Sequence, residues 1–244
     1  MSHLLAENEY LIEGGRMKIV ILTGAGVSAE SGLSTFRDKD GLWTKVDLNE
    51  VATPEGFAKD SKKVHDFYNM RRKNAHAAEP NAAHFALARL QREFRGEVVI
   101  VTQNVDRLHA AAGSEAIHMH GRHDMACCAE CGVRWEAPDV MRPEDPCPGC
   151  GKSATRPDIV WFGEMPQFLD EIADHLADAD LFVAIGTSGQ VYPAAGFVAE
   201  AKRYGAGTLE INLLDSDVSH NFDDHRRGKA TEVVPAWVDE MLGA

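Results

Sequence analysis

Long apolar runs are missing from this 244-residue chain, and none approaches the roughly 18 residues that a membrane-spanning helix needs. Basic charge is short as well. Lys and Arg number 25 against 38 Asp and Glu, a formal charge of −13. Such an acidic chain suits neither a phosphate backbone nor an anionic membrane surface, so neither nucleic acid nor membrane is expected as a partner. Residues Met1 to Gly15 lack the basic start, apolar middle and small-residue cleavage site of a secretory signal, which makes a cytoplasmic location the expectation. Internal repeats, low-complexity tracts and coiled-coil heptads are absent, and a monomer is expected. Cysteine is absent except in one short window that holds all five: Cys127, Cys128, Cys131, Cys147 and Cys150. A disulfide framework would be spread along a secreted chain, so this clustering points to metal.

What is present reads as α/β. Lys18 to Thr23, Glu97 to Thr102, Leu181 to Gly186 and Thr208 to Leu213 are short runs rich in Val, Ile and Leu. Between them lie helix-like stretches at Asn81 to Phe94, Phe168 to Ala177 and Pro193 to Tyr204. Strands alternating with helices predict a Rossmann-like parallel sheet covered on both faces, with ligands at the carboxyl ends of its strands. The turns at Thr23-Gly24, Thr102-Gln103 and Gly186-Thr187 all leave strand ends and can meet at one crevice. Two segments interrupt the rhythm: a helical stretch over 41–80 and the cysteine-bearing stretch over 122–157. They are expected to form a smaller lobe, a helical module beside a zinc-binding ribbon. Residues 1–40, 81–121 and 158–244 then make the sheet domain.

Cys128-x2-Cys131 and Cys147-x2-Cys150 stand 15 residues apart. Each pair can place two thiolates on a tight turn about 2.3 Å from one ion, and four sulfurs close a tetrahedral zinc with no open position. That zinc is expected to be structural. Cys127 is the spare, a neighbour of the site.

Gly24-Ala25-Gly26-Val27-Ser28 follows the first strand and enters a segment of helical character. Its glycines let the backbone approach a ligand, and free N–H groups at a helix start favour an anion, so a phosphate-bearing cofactor is implied. No Gly-Lys-Ser or Gly-Lys-Thr follows, which excludes a P-loop. No acidic residue ends a second strand about 20 residues on, which argues against the ribose contact of a hydride-transfer dehydrogenase. The loop instead continues to Phe36, Arg37 and Asp38.

Three further segments, Thr102-Gln103-Asn104-Val105-Asp106, His118-Met119-His120-Gly121 and Gly186-Thr187-Ser188, complete a pattern. With Gly24 to Ser28 and the two Cys pairs, the chain resembles the sirtuins, NAD-dependent protein-lysine deacylases, from about residue 17 to about residue 238. The resemblance implies NAD as co-substrate. It assigns Gly24, Ala25, Gly26 and Ser28 to the pyrophosphate, and Phe36 and Arg37 to the part of the loop nearest the nicotinamide ribose. Gln103, Asn104 and Asp106 fall to the ribose and carboxamide, Gly186, Thr187 and Ser188 to a second nucleotide turn, and Asn212 and Ala230 to the adenosine end. Leu214 and Lys229 depart from the family pattern there, where Glu and Pro are common.

His120 matches the catalytic histidine, and an imidazole near its ordinary pKa of about 6.5 suits general base work. By family analogy the acyl oxygen attacks the nicotinamide ribose and nicotinamide leaves. The base then frees a ribose hydroxyl, and the products are free lysine and O-acyl-ADP-ribose. His118, two residues earlier, is read as structural. Tyr68 and Arg71, at i and i+3 of a helical pattern, share a face and offer a phenol and a guanidinium to one carboxylate. They resemble the Tyr-x-x-Arg of the sirtuin branch that removes malonyl and succinyl groups, and Ala52 matches the small residue that leaves room for the longer acyl chain. Val160, Trp161 and Phe162 match the strand that pairs with the substrate backbone, with one of the two rings expected in the core. An ADP-ribosyltransferase and a non-catalytic zinc-ribbon module are the competing readings. A zinc ribbon that binds nucleic acid is disfavoured by the mixed charge between Gly132 and Pro146.

Overall fold

The computed structural model describes residues 16–33 and 46–243. Strand β1 (Lys18–Thr23) is apolar and buried from Ile19 onward, as a strand covered on both faces requires. It pairs in parallel with β2 (Glu97–Thr102) on one side and β7 (Leu181–Ile185) on the other. With β3 (Ala116–His118), β8 (Gly207–Asn212) and β9 (Asp224–Arg227) the sheet has six parallel strands in the order β3-β2-β1-β7-β8-β9. The winding reverses between β1 and β7, and a crevice opens at the carboxyl ends of those strands.

Alternation along β1 sends Ile19 and Ile21 to one face and Val20 and Leu22 to the other. On the first face they pack against α4 (Ala82–Glu93) and α8 (Ala230–Leu242) through Leu87, Leu90, Val234 and Trp237. On the second they meet α6 (Leu169–Ala177) and α7 (Phe197–Arg203) through Ile172, Leu176 and Val198. Asn81 caps α4 by accepting from the Ala83 N–H, while the His84 ring accepts from the Asn81 N–H.

The smaller lobe combines three helices with an antiparallel sheet. Helices α1 (Leu48–Val51), α2 (Pro54–Lys59) and α3 (Ser61–Ala77) are capped by Asp47, Thr53 and Asp60, whose side chains accept from the backbone of the first turn. Strands β4 (Gly121–Cys128), β5 (Arg134–Glu136) and β6 (Thr155–Ile159) lie in the order β5-β4-β6. Val51, Val64, Phe67, Tyr68, Ile159 and Trp161 form the core joining helices to sheet. The sequence pattern misses these three strands because β4 buries Gly121, His123, Ala126 and Cys128, which are small or polar and leave no apolar alternation. The short helix α5 (Leu108–Ala111) and α8, which contains Pro235, are likewise unannounced.

The helical character expected after the first glycine takes the form of two 3-10 turns, Ala25–Val27 and Ala29–Ser31. The loop is held by the strand beside it: Gly24 N donates to Ile185 O at 2.9 Å and Gly26 N to Gly186 O at 2.8 Å.

Candidate active site

The loops after β1, β2 and β7 converge on a cavity of about 720 Å³, within the range of small-molecule sites. Its floor is made of glycine for a steric reason. A Cβ on Gly26 would lie 2.7 Å from Gly186 Cα, and one on Gly24 would lie 2.8 Å from Gly186 O. Gly186 itself has φ +62, the left-handed region. Ala25, Ser28, Thr187 and Ser188 line the same cavity, as do Asn212 and Ala230 farther along it.

Hydrogen bonds tie these loops into one unit. Gln103 Nε2 donates to Thr187 Oγ1 at 3.0 Å, bridging the loops after β2 and β7. Asn212 Nδ2 donates to Thr187 O at 2.7 Å. Asn104 Nδ2 donates to Gly24 O and to Ser28 Oγ, both at 3.1 Å. Ser28 Oγ in turn donates to Asp106 Oδ2 at 3.0 Å, and Asp106 Oδ1 accepts from Leu108 N at the start of α5. Behind this chain sit two buried histidines for which the sequence suggests no chemistry. His84 Nε2 lies 3.4 Å from Ser28 Oγ, and His109 Nε2 lies 3.0 Å from Thr23 Oγ1. Burial pushes His84 down to about 4 and His109 down to about 3, so both are neutral polar braces at pH 7. Phe36, Arg37 and Asp38 lie outside the described residues.

His120 lines the cavity beyond β3, and its Nδ1 is 3.2 Å from Gln103 O. A carbonyl only accepts, so Nδ1 carries the proton and Nε2 keeps its lone pair. Burial lowers the His120 pKa, with the bond to Gln103 opposing, which keeps that lone pair available. His118 lies outside the cavity lining, with Nδ1 3.1 Å from Asn104 O, as its structural reading anticipates.

Helix α3 presents Tyr68 and Arg71 together to the same cavity, which Ala52 also lines. Burial raises the Tyr68 pKa and keeps it a phenol. Its oxygen accepts the Trp161 indole N–H at 3.0 Å, which leaves the hydroxyl proton to be donated elsewhere. Burial lowers Arg71 to about 10, so it remains a cation with much of its hydration removed. Arg72 points away, as expected of its neighbour on the helix. Its Nε donates to His123 O at 2.6 Å and its Nη1 to Asn69 Oδ1 at 2.9 Å. Arg72 thus anchors α3 to β4. His123, three residues past His120, also lines the cavity, and no motif points to it.

Val160, Trp161 and Phe162 border the cavity, but not as a strand. β6 ends at Ile159, and the following N–H groups are used within the chain: Val160 N to His120 O, Trp161 N to the Glu164 carboxylate, and Phe162 N to Ala52 O. Gly163, at φ +89, turns the chain. Trp161 is the core ring, with the Arg156 guanidinium 3.5 Å above it, whereas Phe162 is 47% exposed.

The four cysteines outside the cavity meet. The Sγ atoms of Cys128, Cys131, Cys147 and Cys150 lie within 4.8 Å of one another, with the Cys128–Cys150 and Cys131–Cys147 pairs at 3.7 Å. A tetrahedron with sulfur roughly 2.3 Å from zinc has edges of about 3.8 Å, so the cluster fits a structural zinc. Cys127 stands apart beside Pro157 O, its thiol pushed up to about 11 by burial.

These features define a class. The Sir2 family model matches residues 24–193, and the chain belongs to that family. It is 56% identical to an NAD-dependent protein deacylase of Caulobacter vibrioides, over 93% of this chain and 98% of that protein. It is 52% identical to the NAD-dependent protein deacylase SIR2rp3 of Leishmania major, over 92% of this chain and 95% of that one. Among solved structures, a Sir2 homologue bound to NAD matches with TM-score 0.85 and 40% identity, over 93% of this chain and 90% of the other. A Sir2 mutant with a deacetylated p53 peptide and 3'-O-acetyl ADP-ribose matches with TM-score 0.77 and 29% identity, over 93% and 94%. No helix among the described residues is long and apolar enough to cross a membrane.

Proposed function

We propose that this protein is an NAD-dependent protein-lysine deacylase that removes succinyl and malonyl groups as well as acetyl. The observation that carries the proposal is a single cavity joining a glycine floor, a histidine of fixed tautomer and a Tyr–Arg pair on one helix face. Residues 1–40, 81–121 and 158–244 act as the NAD-binding domain. Residues 41–80 and 122–157 act as the helical and zinc-ribbon parts of the small lobe.

Gly24, Ala25, Gly26 and Ser28 cradle the pyrophosphate, since the glycines let this loop close against Gly186 at the floor of the cavity. Gln103, Asn104 and Asp106 orient the nicotinamide ribose, while Gly186, Thr187, Ser188, Asn212 and Ala230 hold the adenosine half. Phe36 and Arg37 complete the nicotinamide end. Bound NAD supplies an electrophilic ribose carbon and nicotinamide as leaving group. His120 Nε2 takes the proton from a ribose hydroxyl, and the Gln103 carbonyl stabilises the imidazolium that results. Arg71 and Tyr68 bind the carboxylate of a dicarboxylic acyl group, and Ala52 leaves room for its chain. Val160, Trp161 and Phe162 flank the lysine-bearing peptide. Cys128, Cys131, Cys147 and Cys150 hold one zinc that secures the lobe without touching the chemistry.

The test is incubation with NAD and succinyl-lysine peptide, with mass detection of O-succinyl-ADP-ribose. Tyr68→Phe and Arg71→Met are expected to lower desuccinylation far more than deacetylation, and equal losses refute the selectivity. ADP-ribosylated protein in place of O-succinyl-ADP-ribose points to a transferase.

A further inference from the structure

The acyl end of the cavity contains one more polar side chain than the Tyr–Arg pair. His123 lies on β4 and is 4% exposed, yet it lines the cavity. Its backbone is fully engaged, the N–H with Val105 O at 2.8 Å and the carbonyl with Arg72 Nε at 2.6 Å. Its ring is not: Nδ1 is buried with no hydrogen-bond partner. Buried nitrogens are seldom left so, and this one belongs to a ring centred 6.0 Å from the Tyr68 ring. A ring at the wall of a cavity with a buried, unpartnered nitrogen marks a place where a polar partner is missing.

The surroundings say which kind of atom. Burial pushes the His123 pKa well below its usual range, and the nearby positive charges of Arg71, Arg72 and His76 on α3 add to the effect. Tyr68, on the same helix, is a neutral phenol. On its own strand the flanking Arg122 and Asp124 are paired with each other. From the loop after β2, the Asp106 carboxylate acts on Arg71. The positive charge of Arg71 therefore lies beside a proton-poor imidazole at this end of the cavity. An anion here offsets the repulsion that keeps the ring neutral and offers the acceptor its N–H lacks.

We propose that His123 is the third side chain of the acyl-carboxylate site, hydrogen-bonding the carboxylate beside Tyr68 and Arg71 and gaining a proton as it binds. The proposal rests on the dicarboxylic-acyl reading above. It makes His123 a specificity-determining residue that serves only an acidic acyl group.

The experiment measures kcat/KM for succinyl-lysine and acetyl-lysine peptides at saturating NAD from about pH 6 to 9, in wild type, His123→Leu, His123→Gln and Arg71→Met. In wild type the succinyl/acetyl ratio falls as pH rises, because proton uptake accompanies only the acidic substrate. His123→Leu lowers the ratio on the order of tenfold and flattens its pH dependence. His123→Gln recovers part of the ratio, since its amide still donates, but not the pH dependence. Calorimetry in buffers of different ionisation enthalpy detects proton uptake with the succinyl peptide in wild type and none in His123→Gln. If Arg71→Met loses the ratio while both His123 variants keep the wild-type ratio and slope, the role of His123 is overturned and the dicarboxylic-acyl reading stands. If wild type does not turn over the succinyl peptide, or Arg71→Met keeps the ratio, both fall.

Discussion

Replacing Gly26 by Ala asks how tightly the cofactor floor is closed. A Cβ there would sit 2.7 Å from Gly186 Cα and 2.8 Å from Gly186 O, against an ordinary contact of at least 3.4 Å. Relief requires about 0.7 Å of movement (3.4 − 2.7) between two backbones, with no flexible side chain to absorb it. That movement also stretches the 2.8 Å bond from Gly26 N to Gly186 O. Overpacking of this kind costs about 1–3 kcal/mol, and the weakened bond adds about 1 kcal/mol. At about 2–4 °C per kcal/mol for a chain of this size, the melting temperature falls by roughly 5–15 °C. The NAD KM should rise as well, because the displaced loop is the one proposed to meet the pyrophosphate. Gly32→Ala is the control. Gly32 has φ +84 but nothing within 4 Å of the added carbon, so only backbone strain of about 1 kcal/mol applies. Scanning fluorimetry and NAD titration on both variants decide the matter. The argument fails if Gly26→Ala melts and binds NAD like wild type, or if Gly32→Ala is the more damaging change.

His120→Ala should abolish turnover while NAD still binds, as measured by calorimetry. Because burial lowers the His120 pKa, the base stays neutral to lower pH than a free imidazole, and the acid limb of kcat should fall below pH 6.5. A limb above 7 would show that another group titrates. Ser28→Ala removes the partner shared by Asp106 and Asn104, leaving buried polar atoms short of a bond at about 1–3 kcal/mol. The expected readout is an NAD KM raised more than kcat is lowered. Cys131→Ser should reduce bound zinc from one per chain, by elemental analysis, and lower the melting temperature by several degrees; unchanged metal content would remove these four thiols as the site.

The sheet domain was legible because its signals are local. Apolar runs of strand length mark β1, β2, β7 and β8, and Asn81 announces α4 at its cap. The zinc cluster was legible from spacing, and the shared face of Tyr68 and Arg71 from helix periodicity, though only the family resemblance singles that pair out. Other features escaped because they exist only between distant segments. Nothing near Trp161 in sequence says that its indole N–H meets a phenol 93 positions away. The segment from Val160 to Phe162 matches a strand in sequence. In the fold the Glu164 carboxylate and the Ala52 carbonyl take up its N–H groups, and Gly163 turns it aside. His123 escaped for a similar reason, since the alternation that buries it breaks after it and its buried companions Gly121 and Ala126 are too small to register as an apolar face.

Helix α3 has two sides that answer to different parts of the molecule. One presents Tyr68 and Arg71 to the cavity. The other is fastened through Asn69 to the Met141 backbone, and through Arg72 to Asn69 and the His123 carbonyl. The residues proposed to choose the acyl group therefore hang from the cysteine-bearing lobe, while His120 and the nucleotide loops are seated on the six-stranded sheet. Choice of substrate and chemistry of transfer have separate mechanical supports. A lineage can retune the first by altering the ribbon side of α3 and leave the second intact. Gradual metal depletion should then blur discrimination between acyl groups before it stops turnover.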